Sequence, residues 1–423
     1  MSSDSELPPT VGTLQQYSEN PFERRLEWAQ EGDVVQVSAP DTKQFMLFHP
    51  DDIETVLFGE EDKYTKFEGF DEVFGGGVVS ASGDQWRAQR GTLQSSFRPD
   101  RVRAYAETIR DLTADAVAEL PETGVVDVRD KMTDLTLRVM LETLFDEQDD
   151  DGRIAAGADA ITDWFLEEST AGPVSDDVQQ RYETGREQLV NRIEEMIAER
   201  ETGEGDDMLS ALLAAGPDSE AGYTDERIRD EMITMLFAAH ETTALTLTYT
   251  LFLLADHGRV ARAIREEVTA VVGDAKPGPE HLEALDYTEQ VIDEALRLYP
   301  PSHTIFRRTR QPVTIRSWSL PEGALLYLPQ WVVHRDERWW DEPEAFRPER
   351  FGEEAGRPSF AFFPFGAGPR RCLGETFARA EAKLVVAALL RAYDLDRVTE
   401  SFGLRASLTA VPDGPVELSF TQR

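Results

Sequence analysis

The sequence predicts a mainly α-helical protein with a small β part, folded as a single domain over residues 1–423. Hydrophobic residues make up 40% of the chain and charged residues 29%, a balance that allows a large core and disfavours extensive disorder. Helical patterns dominate from Asp52 onward, whereas β-branched and aromatic residues cluster nearer the N-terminus. No internal repeat or long linker divides the chain, and we expect only a short flexible tail over residues 1–10.

The N-terminal β part and one long helix have the clearest local signals. Residues 34–38 and 45–48 flank a Pro-Asp turn and are predicted to pair as strands. Thr224 is a suitable N-cap, and Asp225 and Glu226 follow it in the first turn, where carboxylates suit the helix dipole. The helix can run to about Ala255, a length of ~48 Å at 1.5 Å per residue.

The other elements are predicted from the same kinds of signal. They are a helix over residues 287–299 that ends at Pro300-Pro301, strands over residues 313–316 and 324–328, coil over residues 339–369, a helix over residues 373–393 and short strands to the C-terminus. This order places the small β part near the N-terminal half.

The longest apolar segment, residues 233–255, is better explained as a buried helix than as a membrane span. His240 and Glu241 lie at its centre, and a carboxylate in the middle of a bilayer is costly. The first ten residues lack a basic stretch followed by an apolar one, which a signal peptide would have. We therefore expect a cytoplasmic protein without a membrane anchor.

The charge composition is strongly acidic, with 81 acidic residues, 43 basic residues and a formal net charge of −38. Such a surface repels nucleic acid and anionic membranes, so neither is an expected partner. Only six of the basic residues are lysines. Acidic excess with little lysine is typical of proteins from salt-loving organisms, and an ordinary acidic protein is the alternative.

Cys372 is the only cysteine, which excludes an intramolecular disulfide and a multi-cysteine zinc site. It follows a glycine-rich loop and precedes a predicted helix, next to Arg370 and Arg371. A helix N-terminus and nearby positive charges favour the thiolate, and glycines let backbone N–H groups approach the sulfur. On the residues alone, an inert buried thiol and a redox-sensor thiol remain alternatives.

The loop resembles the haem-binding loop of the cytochrome P-450 family. The matching positions are Phe365, Gly366, Gly368, Arg370, Cys372 and Gly374. The resemblance implies that Cys372 ligates the iron of haem b (iron protoporphyrin IX), that Arg370 pairs with a haem propionate, and that Phe365 and Gly366 lie beside the cofactor. It also implies the family's fold, a helical triangular prism around the haem.

Two further motifs resemble structural and cofactor-binding parts of the same family. Glu294 and Arg297 lie three residues apart on one helix face, and Arg350 follows downstream at the family's spacing. Alone, such a pair is usually a solvated surface pair of small value. The resemblance implies a buried ion triad that holds the loop behind the haem.

Trp86 and Arg90 at the start of a helix resemble the family's propionate-binding pair. A tryptophan and an arginine at this spacing would otherwise be interpreted as surface packing. The resemblance implies Arg307 as a further propionate partner, with Arg308 as its alternative.

Glu241 and Thr242 lie in the middle of the long apolar helix, where polar side chains need partners. Back-bonding of the threonine to the helix and a buried glutamate with a raised pKa would explain them structurally. The segment resembles the family's oxygen-activating motif, although Ala239 stands where the family usually has glycine. The resemblance implies that Thr242 organises hydrogen bonds around dioxygen and that Glu241 relays protons.

The resemblance implies a haem-thiolate monooxygenase, an oxidoreductase acting on paired donors that inserts one atom of dioxygen into an apolar organic substrate. We expect a separate electron donor of the ferredoxin or flavodoxin type, docked on the cysteine side of the haem. A haem-thiolate peroxygenase or isomerase and a non-enzymatic haem sensor are the alternatives. By the same resemblance, the residues lining the substrate pocket include Phe70, Phe74, Phe237, Ala238, Ile305 and Phe306.

Overall fold

Helices form most of the structure, a computed structural model that describes residues 7–40, 42–59, 61–66, 71–149, 151–168, 174–200, 205–352 and 356–423. The helices in these ranges are α1 (Leu14–Glu19), α2 (Pro21–Trp28), α3 (Pro50–Glu54), α4 (Asp71–Phe74), α5 (Gly83–Gln94), α6 (Pro99–Glu119), α7 (Val128–Met140), α8 (Arg153–Glu168), α9 (Asp176–Glu199), α10 (Met208–Ala215), α11 (Asp225–Asp256), α12 (Gly258–Val272), α13 (Asp286–Leu298), α14 (Gln330–Val333) and α15 (Glu375–Ala392).

The strands form one larger sheet and several small ones. They are β1 (Thr10–Thr13), β2 (Val34–Ser38), β3 (Gln44–Leu47), β4 (Tyr64–Thr65), β5 (Thr123–Asp127), β6 (Ile305–Thr309), β7 (Val313–Ile315), β8 (Trp318–Leu320), β9 (Leu325–Leu328), β10 (Tyr393–Arg397), β11 (Leu404–Ala406), β12 (Ala410–Pro412) and β13 (Glu417–Gln422). The larger sheet has the order β1-β2-β3-β9-β6-β4; β10-β13-β5, β11-β12 and β7-β8 form the others.

The prediction of a mainly helical fold with a small β part is confirmed. β2 and β3 pair antiparallel as expected. α11 begins after Thr224, whose side chain accepts a hydrogen bond from the Arg227 N–H, and it ends one residue beyond the predicted limit. α13 and α15 also lie within two residues of their predicted bounds. In the described ranges, no helix is both long and apolar enough to cross a membrane.

Two expectations, one about the location of the β part and one about the N-terminal tail, differ from the structure in detail. The β part is not confined near the N-terminal half, because β3 pairs with β9 and β4 pairs with β6, joining strands far apart in sequence. The tail expected over residues 1–10 includes residues that take part in the sheet. Thr10 begins β1, and the Gln36 N–H donates a 2.8 Å hydrogen bond to the Pro9 carbonyl; residues 1–6 lie outside the described ranges.

α11 is the central helix of the fold. It packs against α7, α13 and α15, and residues around its whole circumference are buried, which explains why its sequence lacks a clear polar face. Ala238 is an exception because it is exposed, and Thr242, one turn later, is only partly buried. These two residues mark one face of α11 that is not covered by protein, and α15 brings the cysteine loop to the same helix.

Candidate functional site

The loop over residues 365–374, called the Cys372 loop below, is held by a series of tight backbone turns. The Cys372 N–H donates to the Phe365 carbonyl at 2.8 Å, and the Arg371 N–H donates to the Gly368 carbonyl at 3.0 Å. Gly366 and Gly368 have φ of +69° and +67°, a conformation that side chains other than glycine's disfavour. These turns place Cys372 just before the N-terminus of α15.

Gly368 also permits a close approach between the Cys372 loop and the segment before β4. A Cβ atom at Gly368 would lie 2.0 Å from the Leu57 carbonyl oxygen, well inside van der Waals contact. The loop therefore needs glycine here for two independent reasons, its backbone conformation and the space available.

The Cys372 thiol lies at the end of the loop, just before α15. Its side chain is solvent-accessible, yet protein atoms surround it so closely that burial raises the pKa of the thiol above its ordinary value. A hydrogen bond from the Gly374 N–H and the charges of Arg90 and Arg371 lower the pKa, but they do not outweigh burial. The expected lowering by a neighbouring arginine and a backbone N–H is therefore present, but burial sets the net direction.

Both arginines of the loop make hydrogen bonds to other groups. Arg371 donates to the Glu375 carboxylate at 2.7 Å, and that carboxylate itself raises the pKa of the thiol. Arg370 turns the other way and donates to the Ala81 carbonyl at 3.2 Å. Deprotonation of Cys372 therefore needs a stronger positive charge at the sulfur, and a coordinated metal cation deprotonates a thiol outright.

Four basic side chains converge beside the loop, here called the cationic cluster: Lys66, Arg90, Arg307 and Arg370. Burial and the three arginine charges hold the pKa of Lys66 well below its ordinary value. The Arg370 guanidinium lies 4.4 Å from the centroid of the Trp86 ring, and that of Arg90 lies 5.8 Å from it. Like charges this close repel one another, and a bound anion would relieve that repulsion.

Arg307 and its alternative, Arg308, lie in different environments. Arg307 lies close enough to Lys66 to lower the pKa of the amine, and it lines a small polar pocket together with Trp86 and Arg370. Arg308 donates to the Gly323 carbonyl at 2.9 Å instead. Lys66 was not among the predicted site residues.

Glu294, Arg297 and Arg350 form a buried ion network. The Glu294 carboxylate accepts hydrogen bonds from Arg297 at 2.7 and 2.8 Å and from Arg350 at 3.1 Å. Arg297 also donates to the His334 carbonyl at 2.9 Å. Because every partner is hydrogen-bonded, the three charges can be buried together.

His334 and Phe363 connect this ion network to the Cys372 loop. The His334 ring Nε2 accepts a 3.0 Å hydrogen bond from the Phe363 N–H, and the Phe363 carbonyl accepts one from the Gly366 N–H at 2.9 Å. Burial and the charges of Arg297 and Arg335 keep the pKa of His334 well below its usual value, so the ring is neutral and can accept. The network thus fixes the start of the loop.

Glu241 and Thr242 occupy different environments in α11. The Thr242 hydroxyl donates to the Ala238 carbonyl at 2.8 Å on the uncovered face. Glu241 is buried, and burial raises the pKa of its carboxyl to about 7 despite a hydrogen bond with Thr409 and the charge of Arg129. One of its carboxyl oxygens has no hydrogen-bond partner among the residues described.

The predicted pocket residues do not all lie together. Phe74 and Phe237 form an aromatic cluster with Phe165, with ring centroids 5.4 to 5.9 Å apart. Ile305 lies next to Gly366, whereas Phe306 contacts Tyr327. Because side chains alternate along β6, Phe306 points to the sheet face opposite Ile305 and the two cannot line one pocket wall. Phe70 lies outside the described residues.

These groups fit a haem. Cys372 is an enclosed but accessible sulfur, the cationic cluster supplies charges for two propionates, and the uncovered face of α11 at Ala238 supplies a wall without bulky side chains. Trp86 stacks with the Arg370 and Arg90 guanidinium groups of the cationic cluster.

Comparisons with known proteins agree with this geometry. The family model described as Cytochrome P450 matches residues 5–403. Cyclooctat-9-en-7-ol 5-monooxygenase of Streptomyces melanosporofaciens is 29% identical over 396 residues, covering 90% of this chain and 86% of its own. Pentalenene oxygenase of Streptomyces avermitilis is 28% identical over 397 residues (90% and 88%). A cytokinin hydroxylase of Arabidopsis thaliana is 31% identical over 335 residues (75% and 65%).

Proposed function

Because the chain belongs to the cytochrome P450 family and is a haem-thiolate monooxygenase that binds haem b, we propose that Cys372 is the residue that ligates its iron. The observation that carries this proposal is the position of the chain's sole cysteine, accessible at the end of a loop of tight glycine turns. When bound, the haem supplies the activation of dioxygen, and its thiolate ligand favours cleavage of the O–O bond. With two electrons from the electron donor and two protons, one oxygen atom would enter the substrate and the other would leave as water.

The cationic cluster binds and orients the cofactor in this proposal. Arg90, Arg307 and Arg370 hold the two propionates, with Trp86 stacked beside them, and Lys66 adds a fourth donor that sequence analysis did not include. Guanidinium groups bind carboxylates through paired hydrogen bonds, so they fix orientation as well as charge. Phe365 and Gly366 shape the loop around the sulfur. Glu294, Arg297 and Arg350 act through His334, as positioning residues.

In this proposal Thr242 forms hydrogen bonds to the bound ligand and Glu241 transfers protons. Thr242 lies on the uncovered face of α11, where its hydroxyl can exchange its bond to Ala238 for one to a ligand. Glu241, with a pKa of about 7, exists in both protonation states near neutral pH. A group with such a pKa can both release and regain a proton without a large energetic penalty.

The substrate class is an apolar organic molecule, and the electron donor is a ferredoxin or flavodoxin that docks on the cysteine side, in the cytoplasm. Phe74, Phe165 and Phe237 supply an apolar surface near α11. Two Streptomyces relatives are named as oxygenases of cyclooctat-9-en-7-ol and of pentalenene, which supports an organic small molecule as the substrate here. Turnover with peroxide alone and none with a reduced ferredoxin or flavodoxin would contradict the proposed donor.

The test of the ligand assignment uses the reduced, CO-bound spectrum of the haem-loaded protein. The wild-type chain should show the red-shifted Soret band of thiolate-ligated iron, and Cys372→Ala should lose it. Thr376→Ala, on an exposed position of α15, is the matched control and should keep the band. A Cys372→Ala protein that retains the band would show that another residue ligates the iron.

A further inference from the structure

A cleft of about 280 Å³ lies between α6, α7, α8 and α15, away from the Cys372 loop and the uncovered face of α11. Its floor is apolar and comes from several helices at once: Met132 and Leu135 from α7, and Val385 and Leu389 from α15, all of them buried. The volume is near the lower end of the range for small-molecule sites. A molecule of about eight to ten carbon atoms would fit it, as an order-of-magnitude comparison with that range.

One polar group lies at this apolar floor without a partner. Thr113 of α6 lines the cleft, is 1% exposed, and its hydroxyl has no hydrogen-bond partner among the described residues. Other threonines in the helices donate to the carbonyl four residues earlier, as Thr143 does at 2.6 Å and Thr248 at 2.7 Å. A buried hydroxyl left unpaired is costly, and a ligand that reaches it with its own hydroxyl would remove that cost.

The charges at the mouth of the cleft argue against a charged ligand. Lys131 lies 3.9 Å from Asp134, and Arg138 lies 3.8 Å from Glu119, so each cation already has an acidic neighbour. A carboxylate ligand would be repelled by these acidic side chains. An ammonium ligand would find both acids already paired with Lys131 or Arg138. Asp149, also at the mouth, accepts from the Ile154 and Ala155 N–H groups at the start of α8.

We propose that this cleft is a second ligand site, distinct from the haem site, which binds a small, neutral, mainly apolar alcohol whose hydroxyl pairs with Thr113. The ligand lies along Leu135 and Leu389 with its polar end toward α6. The site does not depend on the substrate that the haem site accepts.

The site is also placed to influence α11. Met132 and Leu135 flank the cleft on α7, and the Thr136 hydroxyl on the same helix donates to the His240 carbonyl of α11 at 3.1 Å. His240 directly precedes Glu241 in the chain. A ligand that shifts α7 would therefore act on the helix turn that carries the proposed proton-handling residues.

The experiment measures binding of octan-1-ol and of octane to the haem-loaded protein by titration calorimetry, with the haem site closed by a saturating azole that ligates the iron. We expect one octan-1-ol per chain. Thr113→Val, which keeps the side-chain shape and removes the hydroxyl, should weaken octan-1-ol binding about five-fold and leave octane unchanged. Ala116→Trp, at the partly exposed mouth, should abolish binding of both by filling the cleft.

Absence of octan-1-ol binding to the azole-blocked wild-type protein would overturn the proposal. So would an unchanged affinity in Ala116→Trp, because the alcohol would then bind elsewhere, or an equal loss of octane and octan-1-ol affinity in Thr113→Val. A crystal of the blocked protein soaked in 8-bromooctan-1-ol gives an independent readout. Anomalous bromine density between α7 and α15 supports the site, and density confined to other surfaces contradicts it.

Discussion

Thr242 and Glu241 are adjacent residues of α11, but successive side chains on a helix point about 100° apart. Thr242 therefore faces the uncovered side of the helix while Glu241 faces Thr409 and Arg129. The two residues can cooperate only through intervening hydrogen bonds, so their contributions should be separable by mutation.

For Thr242, we expect Thr242→Ala to bind haem normally and to divert reducing equivalents into hydrogen peroxide. Loss of the hydroxyl removes a hydrogen-bond donor on the uncovered face of α11 and nothing from the buried core. Product formed per reduced cofactor consumed should fall several-fold. Thr242→Ser, which keeps the hydroxyl, should retain most of the coupling; equal coupling in the wild-type and alanine proteins would remove Thr242 from the mechanism.

For Glu241, burial raises the pKa from 4.5 to about 7, so the folded protein holds a proton that the unfolded chain has released between these values. The stability contributed by the protonated carboxyl is full below pH 4.5 and is lost as the pH rises to 7, by on the order of 3 kcal/mol. Glu241→Gln should therefore lose less stability between pH 5 and pH 8 than the wild type. The measurement is denaturant unfolding at both pH values.

The control for that experiment is Glu400→Gln, which changes an exposed carboxyl and should leave the pH dependence as it is in the wild type. Identical pH dependence in Glu241→Gln and wild type would mean that Glu241 is already ionised in the folded protein at pH 5.

Among the elements, the Cys372 loop depends on the ion network of Glu294, Arg297 and Arg350. Glu294→Ala would leave two guanidinium groups buried without their carboxylate, which costs about 3–5 kcal/mol. We expect the free energy of unfolding to fall by a similar amount. Haem release should also be faster, because His334 and Phe363 connect the ion network to the loop by hydrogen bonds. Unfolding and haem transfer to apomyoglobin measure the two effects.

The matched control is Glu27→Ala, which breaks an exposed pair with Arg24 of the same spacing as Glu294 and Arg297. Exposed pairs of this kind are worth less than about 1 kcal/mol. If both variants lose the same small amount, the buried network does not hold the loop.

Residues adjacent in the sequence predicted the helix bounds and caps well. They could not predict which distant strands pair. The Cys372 loop, the cap at Thr224 and the bounds of α13 all follow from residues next to one another in sequence. Lys66 could not be found in this way. β4 pairs with β6 so that Tyr64 opposes Thr309 and Thr65 opposes Arg308, which brings Lys66 to the level of Arg307, more than two hundred residues away.

The substrate pocket shows the same limit. Ile305 and Phe306 are adjacent apolar residues, and nothing local says that they belong to a strand whose faces separate them. The raised pKa of Cys372 likewise comes first from burial in the folded protein, which residues adjacent in the sequence do not show.

At the scale of the whole molecule, the excess of 81 acidic over 43 basic residues creates a repulsive field that destabilises the compact state. The Debye length falls from ~30 Å at 0.01 M salt to ~3 Å at 1 M, so most of this repulsion should vanish in molar salt. We expect the thermal midpoint, followed by Soret absorbance, to rise with both KCl and NaCl. A flat or falling midpoint would contradict the halophilic interpretation and leave the haem assignment untouched.

Because the chain has few lysines, Lys66 can be followed by chemical labelling. Acylating reagents attack the uncharged amine, and the lowered pKa of Lys66 makes that form more abundant there than in an ordinary lysine. With propionates in the cationic cluster, the same amine would be charged and covered. Only five other lysines compete for reagent in the entire chain. Mass-spectrometric labelling of Lys66 would thus distinguish cofactor-free from cofactor-loaded molecules in a mixed preparation, peptide by peptide, without any optical signal.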